Sequence, residues 1–224
     1  MNICHSMASF LLLTGRLSMV RNAIVVFFAA SLLFLPAAKA DDSAIAKAAE
    51  ETKPIERGTK MPDAVVRDSN GVEATLRELT AGKTTVLVFF RGGWCPICTR
   101  HTGQLIKAYP QIQSKGGQLI AISPDSPEST TSNQSKNSIP FPVYSDSDLN
   151  AAKAFGLAFK VDDATVKKYK GFGIDLESAS GRDHQSLPIP AVFIVDASGK
   201  IVFAHSDPDY KKRLDPAAII ENLP

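Results

Sequence analysis

Two cysteines three residues apart, Cys95 and Cys98, stand in the stretch Trp94-Cys95-Pro96-Ile97-Cys98. An apolar run, Val86-Leu87-Val88-Phe89-Phe90, and a loop, Arg91-Gly92-Gly93, come before it, and a segment of helical periodicity follows. That order predicts a strand, a glycine turn and a helix whose first turn carries both thiols. The unpaired N–H groups and positive partial charge at a helix start favour thiolate over thiol. A cysteine held there has a lowered pKa. Such a pair is placed to cycle between dithiol and disulfide. As a staple it would close so small a loop that little chain entropy is restrained, so redox chemistry explains the pair better than stability does.

Other polar groups lie close in sequence. Arg91 and Arg100 flank the cysteines, and a guanidinium offers fixed N–H donors to a thiolate. The plain alternative is a solvated surface charge, most of all for Arg100. His101 follows Cys98 by three residues and would shuttle protons near neutral pH, unless it is an ordinary surface histidine. Trp94 is expected to pack beside the sulfur and limit water, or to serve as a plain core aromatic. Cys95, Cys98 and His101 also read as C-x2-C-x2-H. Structural zinc takes four protein ligands; no second cysteine pair follows, and His184 or His205 would have to fold back to complete a set. No metal or other cofactor is expected, and a non-enzymatic metal carrier stays an alternative. Haem attachment needs C-x-x-C-H, whereas Thr99 follows Cys98.

These residues need a frame. Asp68-Ser69-Asn70-Gly71 between Val65-Val66-Arg67 and Val72-Glu73-Ala74-Thr75-Leu76 is a hairpin signal. Thr84 to Phe90 lacks polar alternation beyond its start and predicts a strand covered on both faces. From Pro96, which suits a helix's first turn, Leu105, Ile106, Tyr109 and Ile112 recur at helical spacing, until Gly116-Gly117. Gln118 to Ser123 is a second buried strand, 124–137 a polar helix, Phe141 to Tyr144 a short extended piece and 151–155 a helix. Ala191 to Asp196, Ser198-Gly199 and Lys200 to His205 read as strand, turn, strand, with Asp196 a turn former rather than a proton carrier. Asp215-Pro216 opens a last helix. The pattern predicts an α/β fold: a central mixed β-sheet flanked by helices, with the hairpin as an N-terminal extension. Residues 156–190 are long for a connection and rich in apolar side chains, which predicts an insertion forming an ordered cover.

The N-terminus carries a different signal. Met19-Val20-Arg21-Asn22 is a short positive start, 23–36 an uncharged apolar run and Ala38-Lys39-Ala40 an A-x-A site. This is the pattern of a secretory signal peptide over residues 1–40, with Met1 or Met19 as its start; an uncleaved membrane anchor is the alternative. A flexible lead-in at 41–57 would then precede one domain at 58–224. Cleavage would remove Cys4, Arg16, Arg21 and Lys39 but no acid. The formal charge would pass from +2 to −1, with 22 Lys and Arg against 23 Asp and Glu. A nearly neutral chain lacks the basic surface that nucleic-acid binding requires. Nor does it call for stable membrane association after cleavage. Export places Cys95 and Cys98 in a disulfide-permissive compartment, periplasmic or extracellular.

The stretch from Phe89 to Cys98 resembles the active-site segment of the thioredoxin-fold superfamily. It is most similar to the peroxiredoxin-like branch of the alkyl hydroperoxide reductase/thiol-specific antioxidant family. Pro190 to Lys200 and Ala204 to Tyr210 resemble later parts of the same fold, and the resemblance covers 58–223. It implies a thioredoxin-like fold and a thiol peroxidase that reduces hydrogen peroxide or organic hydroperoxides, with an external thiol or thioredoxin-like electron donor. In that branch Cys98 would attack the peroxide and Cys95 would condense with it; the flanking Arg91 or Arg100 offers donors to hold the thiolate or orient a peroxide. The match departs from the Pro-x-x-x-Thr-x-x-Cys pattern: Arg91 stands at the proline, Cys95 at the threonine, and Pro190 where an arginine precedes the later strand. Resemblance to thioredoxins implies an alternative, a periplasmic protein-disulfide reductase in which Cys95 attacks, Cys98 resolves and Ile189-Pro190 forms a cis bond facing the pair. Exposed strand edges permit a homodimer.

Overall fold

The computed structural model describes residues 44–224; the expected signal peptide, 1–40, lies outside them. After a short 3-10 turn at Ala49–Glu51, the described residues form a hairpin of β1 (Val65–Arg67) and β2 (Glu73–Thr75), then α1 (Leu76–Thr80) and β3 (Thr85–Phe89). The longest helix, α2 (Pro96–Ser114), leads to β4 (Gln118–Ser123), α3 (Pro127–Lys136), β5 (Val143–Ser145) and α4 (Asn150–Ala154). Residues 156–190 hold β6 (Ala158–Lys160), α5 (Asp163–Gly171), α6 (Leu176–Ser180) and β7 (Ser186–Pro188). The chain then forms β8 (Ala191–Val195), β9 (Ile201–Ser206) and α7 (Pro216–Glu221). Seven strands make one mixed sheet in the order β2-β1-β5-β4-β3-β8-β9, and β6 pairs with β7 apart from it. This is the thioredoxin-like arrangement expected, hairpin extension included.

Strand β3 is central and buried along its length. It runs parallel to β4 and antiparallel to β8. Successive side chains of a strand point to opposite faces. Val86 and Val88 join the core that holds Leu105, Ile112 and Ile219, while Leu87 and Phe89 join the one that holds Phe155, Leu157 and Phe193. Each such side chain, fully buried, contributes about 1.5–3 kcal/mol. Parallel β3 and β4 end on the same edge of the sheet, and the loops leaving them, at 90–95 and 124–126, meet there.

Three local readings need correction. The run expected as strand to Leu76 stops at Thr75, because Thr75 and Glu78 form a reciprocal capping box that starts α1. The 41–57 lead-in is not a loose tail from residue 44 on. Ala46 bridges to Phe159, and Ile55 donates its N–H to the Phe155 carbonyl. The third is the Ile189–Pro190 bond: it is trans, since the described residues contain no cis peptide. Pro188 closes the β7 pairing just before it, so the chain enters β8 in extended form.

Residues 156–190 are ordered and carry their own packing. Val161, Val166, Leu176 and Leu187 form a small core of their own, and Trp94 of the cysteine loop packs against it. No helix among the described residues is long and apolar enough to cross a membrane.

Candidate active site

Cys95 caps α2. Its backbone is extended and its sulfur accepts the Cys98 N–H at 3.4 Å, with Pro96 at the first helical position. Both thiols are free. The two sulfurs have opposite environments. Cys95 is pulled down to about 6 from an ordinary 9.0, first by the Cys98 thiol donating to it, against the effect of burial, and further by the Cys98 N–H, Arg91 and Arg213. Cys98 is pushed well up, because its proton is engaged by Cys95 and it is buried. Arg213, from the loop before α7, donates to Cys98 Sγ at 3.3 Å. The pair thus shares one proton, held on Cys98.

Cys95 is only 2% exposed and lines a groove. That groove, of about 740 Å³, is lined by Arg91, Trp94, Pro96, Ile97, Tyr169, Phe172 and Ile174 among others. Cys98 does not line it.

Arg91 is not a solvated charge but is buried. Its guanidinium lies 4.2 Å from the Tyr210 ring centre, 5.3 Å from Trp94 and 5.4 Å from Tyr169. It also donates to the Tyr169 hydroxyl. A desolvated guanidinium over aromatic faces is held by cation–π attraction of up to about 2 kcal/mol. Arg91 therefore ties the cysteine loop to α5 and to the segment after β9. Trp94 is half-buried between these parts, its ring 5.8 Å from Tyr169.

His101 is not a surface histidine either. It lies one turn beyond Cys98 on the stripe Cys98, His101, Leu105, Ala108 and Ile112 that α2 buries. Its Nε2 lies 3.1 Å from the Leu214 carbonyl. A carbonyl only accepts, so Nε2 carries the proton. Burial, and then Arg213, lower it to about 4. At neutral pH it is an uncharged donor and a poor proton shuttle. Among the described residues no three His, Cys, Asp or Glu side chains are grouped to hold a metal ion, so C-x2-C-x2-H does not converge. Pro190 lines an adjoining cleft with Arg91, Tyr169 and Tyr210, not the Cys95 groove itself. Arg100 is exposed.

Asp125, at the end of β4, was missed. Its Oδ2 accepts the Gly93 N–H at 2.7 Å, its Oδ1 has no hydrogen-bond partner among the described residues, and it is buried. Burial raises its pKa to about 6, only partly opposed by the Gly93 N–H. Gly92 and Gly93 make room for this contact. An added Cβ on Gly92 (φ +143°) would lie 2.7 Å from Asp125 Oδ1, and one on Gly93 2.5 Å from Asn133 Cγ. Arg213, Tyr169 and Tyr210 were missed too. A cue existed for Asp125 alone, since ligand and catalytic groups gather beyond the carboxyl ends of parallel strands.

Fold and site together define a thioredoxin-fold protein with a polarised dithiol at a helix start. The model of the AhpC/TSA family matches residues 57–204, and the chain belongs to that family. It is 24% identical over 162 residues to thiol-disulfide oxidoreductase ResA of Bacillus thuringiensis subsp. konkukian, covering 72% of this chain and 76% of that protein. It is 26% identical over 102 residues to peroxiredoxin bcp1 of Schizosaccharomyces pombe, 46% of this chain and 52% of that one. Reduced Prx3 of Vibrio vulnificus, solved with hydrogen peroxide, superposes with a TM-score of 0.62 at 20% identity, over 76% of this chain and 99% of that one. Peroxidoxin BcpB of Mycobacterium tuberculosis does so at 0.58 and 16%, over 75% and 96%. These structures share the fold.

Proposed function

We propose that this protein is an exported thiol–disulfide oxidoreductase that reduces disulfides of other proteins, with Cys95 attacking and Cys98 resolving. One observation carries the reading: the sulfur held as thiolate, Cys95, is the one that lines the open groove, while the protonated Cys98 does not. The Cys95 thiolate attacks one sulfur of the substrate disulfide, and the other sulfur leaves as a thiolate. Cys98 then gives up its proton, attacks Cys95 Sγ and releases the second substrate thiolate. The departing substrate thiolate takes up that proton. One substrate disulfide gains two electrons and the Cys95–Cys98 disulfide forms; an external thiol donor returns the electrons. Export rests on the Ala38-Lys39-Ala40 pattern and suits this chemistry, because protein disulfides persist outside the cytosol.

A second reading keeps the peroxidase. The Arg213 donor on Cys98 Sγ favours it, since a guanidinium stabilises a thiolate there. Cys98 would attack the peroxide, release water or an alcohol, and condense as sulfenic acid with Cys95 to release water. Stopped-flow reaction of the reduced protein and of Cys95→Ser and Cys98→Ser with a small disulfide and with hydrogen peroxide decides between them. The disulfide reading expects Cys98→Ser to keep the fast first step with the small disulfide and to trap the mixed disulfide. Fast peroxide consumption by Cys95→Ser, with a slow disulfide reaction in Cys98→Ser, overturns it in favour of the peroxidase.

A further inference from the structure

The groove over Cys95 carries a signature of its own. Phe172 at its rim is 69% exposed; among the described residues the one other large apolar side chain so exposed is Val72, on the hairpin. This exposure is not a frayed end. The Ile174 N–H bonds to the Tyr169 carbonyl and the Gly173 N–H to that of Lys170, with Gly173 at φ +76°. That is the Schellman closure of a helix, and it fixes Phe172 outward at the end of α5. Trp94, Pro96, Ile97 and Ile174 continue the apolar lining. The charges are one-sided: Arg91 and Lys168 line the groove and no acid does. Lys170 is paired with Asp175 and Glu177, whereas Lys168, four residues before Phe172, has no ion-pair partner among the described residues.

We infer that this groove selects an extended peptide whose cysteine is followed by a bulky apolar residue, with an acidic side chain a few residues further on. The apolar residue packs against Phe172 and Ile97 while the peptide's disulfide reaches Cys95, and the acid meets Lys168. The volume fits such a segment, since pockets of roughly 300–1,000 Å³ hold ligands far larger than a peroxide. The inference rests on the thiol–disulfide reading and names its substrate class. Cys95 joins one peptide sulfur and the other leaves as a thiolate, so the peptide disulfide itself is the oxidant.

The test compares the second-order rate of the reduced protein with two disulfide-linked peptides, each taken relative to bis(2-hydroxyethyl) disulfide. One peptide carries Leu after its cysteine and Glu three residues on; the other carries Ser and Lys. The first should react roughly tenfold faster, the worth of one well-packed apolar contact. Phe172→Ser should remove most of that preference. Lys168→Glu should lower the rate with the acidic peptide several-fold at low ionic strength and little at high salt. Val72→Ser should behave as the unaltered protein. Equal relative rates for both peptides, or a preference untouched by Phe172→Ser, overturns this inference while the proposed function stands. Failure to react with any disulfide, the small one included, overturns both.

Discussion

Replacing Cys98 with alanine should raise the pKa of Cys95 by about one to two pH units. The Cys98 thiol, donating to Cys95, is the largest influence that brings that sulfur to about 6 from 9.0. A hydrogen bond to a charged group contributes about 1.5–3 kcal/mol, and each pH unit corresponds to about 1.4 kcal/mol. Burial, the Cys98 backbone N–H, Arg91 and Arg213 stay in place in this variant. Cys98→Ala should therefore titrate between about 7 and 8, whereas Cys98→Ser, which keeps a hydroxyl donor, should stay near 6. At pH 7 the thiolate fraction would fall from about nine-tenths to between a half and a tenth. Thiolate ultraviolet absorbance and the pH dependence of iodoacetamide alkylation read this directly, because each variant keeps one reactive sulfur in the domain. Coincident titration of the two variants would show that the Cys98 donor does not govern Cys95. Titration of both near 9.0 would refute the polarised dithiol altogether.

Asp125→Asn should stabilise the protein at pH 7 to 8. The folded carboxyl titrates near 6 against 3.8 when free, so its ionisation costs stability as pH rises from 3.8 through 6, at most about 3 kcal/mol. Urea unfolding should show the gain at neutral pH and none near pH 4; a uniform effect at all pH values would contradict it. His101 gives the opposite slope. Its folded pKa of about 4 lies below 6.5, so stability falls as pH drops from 6.5 through 4, by up to about 3 kcal/mol. In His101→Asn the acid-side slope should flatten, as followed by denaturant midpoints across that range. Gly93→Ala should cost about 1–3 kcal/mol by driving a methyl into Asn133, and Asn133→Gly in the same chain should recover part of the melting temperature.

Much of the architecture was legible because it is local. The unbroken apolar run of β3, the Asn70-Gly71 turn and Pro96 after Cys95 each impose a conformation on their own neighbourhood. Two further features are equally local. Thr75 and Glu78 are a capping box in plain sequence, and it ends β2 early. His101 falls at the three-and-four spacing Cys98, His101, Leu105, Ala108, Ile112, so the periodicity that identified α2 also marked this histidine as buried. Leu105 and Ile112 lie on this stripe, whereas Ile106 and Tyr109, which share their helical spacing, lie on its flank.

Adjacent residues dictate that two thiols open a helix after a buried strand. What surrounds each thiol depends on packing between distant parts of the chain. Arg213 meets Cys98 from 115 residues away, Asp125 arrives because β4 pairs in parallel beside β3, and Arg91 changes from a surface charge to a buried strut because Tyr169 and Tyr210 fold over it. The largest influence on Cys95, the Cys98 thiol, is three residues away in the chain, but the burial that opposes it and the Arg213 charge that assists it act through space and come only with the fold.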